Sequence, residues 1–436
     1  MDGDDSKLPV KIKEYKEKAR KIPIEVFPDP KTAVVLTLQH LGAPIAPLVS
    51  VGDKVSIGQK IADSKEKISA PVHSPISGKV IKIDNVYNPK CNKLSQAIFI
   101  ENDGKNRKDK TLQPILESEL KDTPNDFLIK RIREAGIIGL GGAGFPTHIK
   151  LSPPPGKPIK YLVVNATEGE IYDTGNERLI IEKTSNILKG VKVMRKILGN
   201  PEVVIAITDD KIEALAKLNE VFSKEPDTRI VAKPFTYEQG DEDQLQKALF
   251  GWEIPPGKLP YEMGVVVHNV ATVNAVAEAV FGGAPLISRV LTLTGDIEEP
   301  KNLLVKIGTP VRNILDHFKV DPNDLRKVVL GGVMMGVSIP STETPVAKQN
   351  SCIVVVFKSK YKPFKKRTKC IRCSRCISAC PIRLHPILIF NAIEKGDMAR
   401  AKRLDMDDCF SCGICSYVCP AGIPLVNTIV QARKKE

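Results

Sequence analysis

Long apolar runs are missing from this chain of 436 residues. A membrane-spanning helix needs about 18 or more consecutive apolar residues, and no such run occurs. The longest candidate, from Met263 to Ile287, is interrupted by His268, Asn269 and Glu278. The first residues, MDGDDSKLPVKIKEYKEKARK, carry too many charges for a secretory signal peptide. The sequence therefore predicts a chain without a membrane span or a secretory leader.

Cysteine is scarce outside the C-terminal part of the chain. Eight of the ten cysteines lie between positions 370 and 419, and only Cys91 and Cys352 lie elsewhere. The eight form two runs of the pattern C-x-x-C-x-x-C-x-x-x-C-P. Three thiolates at this spacing fit three corners of a four-iron cluster, and the fourth, before proline, ligates the other cluster. The runs therefore predict one [4Fe-4S] cluster on Cys370, Cys373, Cys376 and Cys419, and a second on Cys409, Cys412, Cys415 and Cys380.

Two other uses of these cysteines are weaker alternatives. A disulfide framework is typical of small secreted domains and does not suit a large chain with few other thiols. Structural zinc takes four ligands from two C-x-x-C pairs and leaves the third and fourth cysteine of each run without a purpose. Because cluster ligands must stay reduced, the runs indicate a cytoplasmic protein.

Acidic residues are outnumbered, and the formal net charge is +14. Seven basic residues fall within positions 358–369 (KSKYKPFKKRTK), directly before the first cysteine run. Such a stretch is either a solvated linker or a docking patch for an acidic partner or an anionic lipid surface. Nucleic-acid binding is not expected, because the stretch lacks a recognisable reading fold.

The chain divides into five predicted segments: a charged N-terminal tail (1–20), a β-rich unit (21–105), an α/β unit (120–285), a second strand-rich unit (286–357), and a basic linker with the cysteine runs (358–436). The first β-rich unit resembles the barrel-sandwich hybrid of lipoyl and biotinyl domains. In such carriers a hairpin lysine is acylated. Lys65 and Lys67 lie near that position without flanking methionines, so structural packing is favoured over carrier function.

In the α/β unit, helical and apolar strand patterns alternate, which is typical of a parallel, Rossmann-like nucleotide-binding sheet. Its sharpest motif is GLGGAGFPTHIK at 139–150. Glycines let a backbone approach a phosphate closely, and Lys150 adds a positive charge. Since the motif fits neither the dinucleotide fingerprint nor a P-loop, a tight turn without catalytic meaning stays open as the alternative.

Four segments together resemble a known family. The loop 139–150, the segments 165–170 (NATEGE) and 237–242 (YEQGDE), and 268–272 (HNVAT) are similar to the flavin and NADH motifs of the NADH-binding subunit of respiratory complex I, in the same order. With a barrel-sandwich unit before them and two ferredoxin-type runs after, nearly the whole chain resembles the RnfC family of Rnf-type ferredoxin:NAD oxidoreductases. The order of strands in 286–357 resembles that family's β-grasp (SLBB-type) module.

The resemblance implies roles for particular residues. The residues that would bind the FMN phosphate are Gly139, Gly141, Gly142, Gly144 and Lys150. The isoalloxazine and nicotinamide rings would lie along Asn165, Thr167 and Glu168, with Glu168 the candidate catalytic residue. Further pocket residues are Tyr237, Gly240, Asp241 and Glu242, and beneath the flavin Asn269, Val270 and Thr272. Phe145 is either a stacking partner of adenine or a core aromatic.

The implied fold is multidomain α/β and α+β: a barrel-sandwich hybrid, a Rossmann-like FMN/NADH-binding domain, a β-grasp domain and an α-helical two-[4Fe-4S] ferredoxin domain. The implied activity is hydride exchange between NAD(H) and FMN and single-electron transfer through both clusters. The implied setting is the cytoplasmic face of the membrane, with the other Rnf subunits, and ferredoxin indirectly, as partners. The carboxylates of Glu168, Asp241 and Glu242 favour NAD over NADP, because they would repel a 2′-phosphate.

The chain departs from the family pattern in two ways. Related RnfC chains read N-G-A-E-C-E-P-Y where this chain has Gly169 and Ile171, and Thr167 replaces an aspartate of complex I. Two other functions therefore stay open. One is a cobalamin reductase with similar flavin and cluster parts, and the other is an electron-wiring scaffold without flavin.

Overall fold

The computed structural model describes residues 12–255, 257–362 and 366–434. Residues 1–11 of the predicted tail, positions 363–365 of the basic stretch and the last two residues lie outside the described part. Within that part, no helix is both long and apolar enough to cross a membrane.

The first unit is a pair of small antiparallel sheets, in agreement with the predicted barrel-sandwich hybrid. Its apolar core is formed by alternate strand residues such as Val35, Val80 and Ile98, all completely buried. Lys65 and Lys67 are exposed in the bend between two strands, away from that core. One sheet has the order β2-β8-β7-β4 and the other β3-β5-β6, with β2 (Thr32–Leu36), β3 (Ala46–Pro47), β4 (Lys54–Val55), β5 (Lys60–Asp63), β6 (Val72–His73), β7 (Gly78–Asn88) and β8 (Lys93–Asn102).

Strand β1 (Ile24–Val26) does not join this unit, although the predicted boundary at residue 21 includes it there. It pairs in parallel with residues 302–304 of the strand-rich unit. The preceding residues are also packed: Ile12 and Ala19 are buried, and Ala19–Lys21 forms a 3-10 turn. From Ile12 onward the segment is therefore packed against the rest of the chain and does not form the charged tail that its composition predicts. Ile12 packs with Ile171 and Tyr237, and Arg20 forms ion pairs with Glu177 and Asp210.

The α/β unit is a four-stranded parallel sheet with helices on both faces. Three of the four strands are mostly apolar and buried, as strands covered on both sides must be, and separate apolar clusters fill the two faces. The sheet order is β11-β10-β9-β12, with β9 (Tyr161–Ala166), β10 (Glu202–Thr208), β11 (Thr228–Lys233) and β12 (Val265–Asn269). The helices are α1 (Asn125–Glu134), α2 (Thr147–Lys150), α3 (Gly175–Ile197), α4 (Ile212–Phe222), α5 (Glu242–Phe250) and α6 (Val270–Phe281), with 3-10 turns at Glu117–Glu119, Tyr237–Gly240 and Pro260–Met263.

Helices α3 and α6 approach each other closely because of one glycine. A Cβ at Gly190 would lie 2.0 Å from the carbonyl oxygen of Val273. This contact locks α6, and with it the segment from Asn269 onward, against the sheet.

The strand-rich unit is a six-stranded mixed sheet of order β1-β14-β13-β17-β15-β16, in agreement with the predicted β-grasp module. Helix α7 packs on its apolar face through Ile314 and Leu315, and Cys352 is completely buried in a central strand, as its apolar surroundings predict. The elements are β13 (Ser288–Gly295), β14 (Lys301–Lys306), α7 (Val311–His317), β15 (Leu325–Leu330), β16 (Val337–Ser338) and β17 (Cys352–Phe357).

The C-terminal unit is helical and has an internal repeat. Each cysteine run contains one short helix, α8 (Arg375–Ser378) or α11 (Ile414–Tyr417), and is followed by a longer one, α9 (Pro386–Glu394) or α12 (Leu425–Arg433). Helices α9 and α12 pack together around Ile389 and Ile429. Helix α10 (Met398–Arg403) and the 3-10 turn Met406–Asp408 connect the two halves.

A buried lysine joins three of the units. The ammonium of Lys348, which precedes β17, donates hydrogen bonds to the carbonyl oxygens of Pro71 at 2.8 Å and Gly136 at 2.7 Å. Burial, opposed only by the carboxylate of Asp63, lowers the pKa of Lys348 to about 7.

This lysine predicts a pH-dependent stability. An unfolded lysine titrates near about 10.4, so between about pH 7 and pH 10 the unfolded chain holds more protons than the folded one, and the free energy of unfolding rises with pH. Lys348→Met is expected to remove up to about 1.4 kcal/mol per pH unit of that rise. Thermal unfolding at pH 7 and pH 9 measures it, with the exposed Lys67→Met as control. An identical pH dependence in all three proteins would contradict the assignment.

Candidate functional site

The candidate site lies where the strand order of the parallel sheet reverses, between β9 and β12. Strands β9 and β12 are neighbours although they are far apart in sequence, and Asn165 and Asn269 lie in register at their carboxyl ends. Open parallel sheets bind ligands at such a switch point, outside the carboxyl ends of the strands. The segments 165–170 and 268–272 are therefore brought together, as the resemblance predicts.

The glycine loop lies against the start of α6. The N–H of Leu140 donates to Oγ1 of the buried Thr272 at 2.9 Å, and a Cβ at Gly141 would lie 3.2 Å from Cβ of Asn269. Gly142 has φ +114°, a conformation that favours glycine, and a Cβ there would meet no described atom within 4 Å. The loop thus packs tightly on one side and is open on the other, where a ligand can approach the backbone. The N–H of Gly139 donates to the carbonyl of the half-buried Phe145 and closes the loop.

Lys150 links the loop to the fourth predicted segment. Its ammonium lies 2.7 Å from Oε2 of Glu242 at the start of α5. Around this pair, the buried atoms Oε1 of Glu242, Gln239 and Gln246 and Nε2 of His268 have no hydrogen-bond partner among the described residues. Burial, and then the charge of Lys150, lowers the pKa of His268 well below its ordinary value, so this imidazole is neutral. Buried polar groups without partners fit a polar ligand that would satisfy them.

The opposite wall is formed by two segments that touch through their backbones. Asn165 Nδ2 donates to the carbonyl of Gly240 at 3.2 Å, and Thr167 Oγ1 donates to that of Gln239 at 3.2 Å. A Cβ at Gly169 would lie 2.6 Å from the carbonyl oxygen of Tyr237. In this chain, therefore, glycine at position 169 allows the close approach of the two segments.

Two predicted acidic residues use their side chains locally. The carboxylate of Glu168 accepts the N–H groups of Asn176 at 2.5 Å and Glu177 at 3.3 Å and so caps α3. Burial, followed by the charge of Asp173, raises the pKa of Glu168 to about 8. Asp241 caps α5 in the same way, and burial raises the pKa of its carboxyl. Their contacts with a nucleotide, and the catalytic role of Glu168, stay predictions.

Tyr237 connects the pocket wall with the cysteine-rich unit. Its side chain is buried, and its hydroxyl donates to the carbonyl of Cys412 at 2.9 Å. Around it, Ile171 from the wall packs in one apolar cluster with Cys412 and Ile414. The pocket and the second cysteine run are thus parts of one packed core.

Tyr237→Phe is expected to lower the free energy of unfolding by about 1 kcal/mol, because the buried carbonyl of Cys412 loses its donor. Iron content should not change. Urea denaturation followed by the cluster absorbance measures the effect, and Tyr417→Phe, at an exposed tyrosine, is the control. Equal denaturation midpoints for both variants would show that the hydrogen bond contributes nothing.

The cysteines group across the two runs. Burial, followed by repulsion from Cys412, Cys409 and Cys380, raises the pKa of the Cys415 thiol to about 12. Cys380, Cys409, Cys412 and Cys415 line one small cavity within the cysteine-rich unit. Burial also raises the pKa of the Cys376 thiol, and Cys419 and Cys370 add repulsion. No three His, Cys, Asp or Glu side chains within the described ranges are arranged to hold a single metal ion.

Thiols gathered in this way, with mutual repulsion, fit a cationic iron cluster, which binds them as thiolates. The two groups differ in exposure. Cys412 and Cys415 are buried, whereas Cys370 and Cys373 are exposed. The second group therefore lies towards the pocket and the first towards the surface.

Sequence reasoning missed two lysines at the site. The ammonium of Lys16 donates to the carbonyl of Glu168, and that of Lys211 donates to the carbonyl of Thr167. Both side chains are buried. No sequence signal marks them, because each lies in a charged stretch that reads as solvated.

Three known domain families match the chain. They are the RnfC barrel sandwich hybrid domain over residues 6–105, the Nuo51 FMN-binding domain over 132–278 and a 4Fe-4S dicluster domain over 369–423. These matches confirm the predicted fold class and the predicted cofactors, FMN and [4Fe-4S] clusters. NAD(H) is consistent with the second of them.

Solved structures support the fold alone. A chain of an NAD+-reducing [NiFe]-hydrogenase in the H2-reduced state superposes with a TM-score of 0.51 at 17% identity, covering 74% of this chain and 64% of that one. The same hydrogenase in the air-oxidized state gives a TM-score of 0.50 at 18% identity, covering 72% and 64%.

Curated relatives match over most of the chain. Three of them are C subunits of oxidoreductase complexes. That of the proton-translocating ferredoxin:NAD(+) oxidoreductase complex of Clostridium ljungdahlii is 39% identical over 84% of this chain and 79% of its own length. That of the Na(+)-translocating ferredoxin:NAD(+) oxidoreductase complex of Acetobacterium woodii is 35% identical over 86% and 84%. That of the ion-translocating oxidoreductase complex of Pseudomonas aeruginosa is 39% identical over 85% of this chain but only 48% of its own, longer chain. The chain therefore belongs to the RnfC family, the C subunits of ion-translocating ferredoxin:NAD(+) oxidoreductase complexes.

Proposed function

We propose that this chain is the NADH/FMN electron-transfer subunit of an ion-translocating ferredoxin:NAD oxidoreductase complex. The observation that carries the proposal is the buried contact of Tyr237 with Cys412, at 2.9 Å. It joins a pocket with the motifs of a flavin and NADH site to a cysteine group suited to a cluster. A protein that only stored clusters would have no need for a nucleotide-type pocket packed against one of them.

The residues of the pocket divide the work. The open side of the glycine loop and Lys150 bind the FMN phosphate, and the unpartnered acceptors near Glu242 bind polar groups of the cofactor or of NAD(H). Asn165, Thr167 and Gly240 fix the wall along which the rings lie, and Asn269, Val270 and Thr272 support the loop from below. FMN, when bound, accepts a hydride and passes electrons singly to iron-sulfur clusters.

Burial defines an order for the two cysteine groups. The group of Cys412 is in contact with the pocket wall, and the group of Cys370 is exposed. A cluster held by the second group would therefore lie next to the pocket, and one held by the first group would lie at the surface, where it could exchange electrons with a partner. The exposed Ile371 and Tyr417 and the basic side chains of Arg372 and Arg375 surround that exit. This surface suits an acidic redox partner at the cytoplasmic face of the membrane.

Anaerobic purification with iron, sulfide and flavin assays, followed by titration with NADH, tests the proposal. The expected result is about eight irons and one FMN per chain, with NADH bleaching the flavin band and producing the EPR signals of reduced clusters. About eight irons without flavin and without response to NADH would leave only the electron-wiring role. Transfer of electrons from the NADH-reduced protein to an added corrinoid would favour the cobalamin reductase.

A further inference from the structure

Two buried lysines hold successive carbonyl groups of the pocket turn 165–170. Lys16 is 1% exposed and Lys211 is 0% exposed. Lys16 Nζ donates to the carbonyl of Glu168 at 2.6 Å, and Lys211 Nζ donates to the carbonyl of Thr167 at 2.9 Å. The two ammonium groups come from distant parts of the chain and meet at adjacent peptide units.

Several carboxylates lie around these lysines, including Asp210 at 3.9 Å from Lys211, and Glu168 and Glu177. Lys16 lies 3.3 Å from a carboxylate oxygen of Glu14, and Lys211 also donates to Thr208 Oγ1 at 2.5 Å. Burial, followed by the charge of Lys16, lowers the pKa of Lys211. Removing an ammonium group from water costs several kcal/mol. A neutral donor would satisfy a carbonyl at lower cost, so the use of two charges indicates that the turn must be held strongly.

The turn itself is strained. Glu168 has φ +49° and Tyr172 has φ +70°, in the left-handed region that residues with a side chain rarely occupy. Such conformations persist only where the surroundings over-determine them. In a trans peptide the N–H points opposite to the C=O. Carbonyls held by the lysines therefore direct the N–H groups of Glu168 and Gly169 to the other side of the turn, where Gly169 contacts Gly240 in the pocket wall.

Lys16 belongs to the N-terminal segment 12–22, which contacts the α/β unit through several of its residues. Arg20 binds the carboxylates of Glu177 at 3.2 Å and Asp210 at 2.5 Å. The rings of Tyr15 and Tyr172 stack with centroids 5.0 Å apart. The segment is thus fixed on either side of Lys16, through Tyr15 and Arg20.

We propose that Lys16 and Lys211 are positioning residues for the cofactor pocket, and that the N-terminal segment 12–22 completes that pocket by supplying Lys16. The inference rests on the proposed function, since it assigns the turn to the binding of flavin and nicotinamide. Both ammonium groups bind backbone carbonyls, so these lysines would act on the cofactor through the turn. They act by fixing the two peptide units between Thr167 and Gly169.

The test compares Lys16→Met and Lys211→Met with Lys18→Met, which removes an exposed lysine from the same segment. Hydrogen exchange of the peptide spanning 165–178 is measured on the full chain, with residues 93–102 of β8 as an internal reference for the fold. Both buried-site variants are expected to exchange about tenfold faster in the turn and not in β8. They should also need at least tenfold more NADH for half-reduction of the flavin, at unchanged iron content. Lys18→Met should match the wild type in every measurement.

The outcomes separate this inference from the proposed function. If the wild-type chain binds no FMN or does not respond to NADH, the proposed function fails, and the exchange data still decide whether the lysines hold the turn. Unchanged exchange in the turn, or wild-type NADH titration in both variants, overturns the inference. If Lys16→Met loses protection in β8 as well, Lys16→Arg decides, because it keeps the charge and donor. Fast exchange confined to the turn in Lys16→Arg would then show that charge and donor do not hold it.

Discussion

Cys380→Ala is expected to lower the iron content of the anaerobically purified chain from about eight to about four per molecule. Cys380 belongs to the first run in sequence, yet its thiol lines a cavity with Cys409, Cys412 and Cys415. Burial raises its pKa, and Cys409 adds repulsion. Removing it should therefore destroy the cluster of the second run and leave that of the first. Iron and sulfide assays with EPR of the reduced protein measure the loss.

The reciprocal variant makes this test sharper. Cys419→Ala should remove the cluster of Cys370, Cys373 and Cys376 and leave the one near the pocket, so that NADH still produces the EPR signal of a reduced cluster. In Cys380→Ala that signal should disappear, because the cluster next to the pocket is gone. Cys91→Ala, outside both runs, should keep about eight irons. Loss of the first-run cluster alone in Cys380→Ala would show that each run ligates its own cluster.

The cysteine grouping and most elements of the α/β unit were predictable because they depend on local signals. Spacing within a run fixes which thiols can share a cluster, and β10 (Glu202–Thr208) contains a continuous apolar run from Val203 to Ile207. Continuous apolar runs and amphipathic periodicity are local properties of the sequence, so they indicate an element without information on its distant contacts.

The N-terminal segment and the lysines were not predictable, because their roles depend on contacts between distant parts of the chain. Strand β1 has only three residues and pairs with β14 almost 280 positions later. Lys16 and Glu168 are 152 residues apart. A lysine in a charged stretch normally remains in water, and only the tertiary structure shows that this one is buried against a carbonyl.

Lys150→Met is expected to weaken FMN binding by roughly a hundredfold, the equivalent of about 3 kcal/mol for a lost hydrogen bond to a charged group. Among the predicted phosphate-binding residues, Lys150 alone carries a charge; the others are glycines. Its ammonium lies at the end of α2, next to the glycine loop. FMN binding to the flavin-depleted chain, followed by flavin fluorescence, measures the effect. Iron content should not change, because the cysteine groups lie in another unit.

Glu242→Gln separates binding of the phosphate from the ion pair that Lys150 makes in this structure. Because Lys150 lies 2.7 Å from Glu242, a phosphate must compete with that carboxylate. Neutralising Glu242 should therefore leave FMN binding as tight as in the wild type or tighten it, whereas removing Lys150 should weaken it. Lys157→Met, at an exposed lysine nearby, controls for a general loss of positive charge. Equally weakened FMN binding in Lys150→Met and Lys157→Met would show that Lys150 contributes only its general positive charge. Weaker FMN binding in Glu242→Gln would show that the ion pair between Lys150 and Glu242 shapes the site.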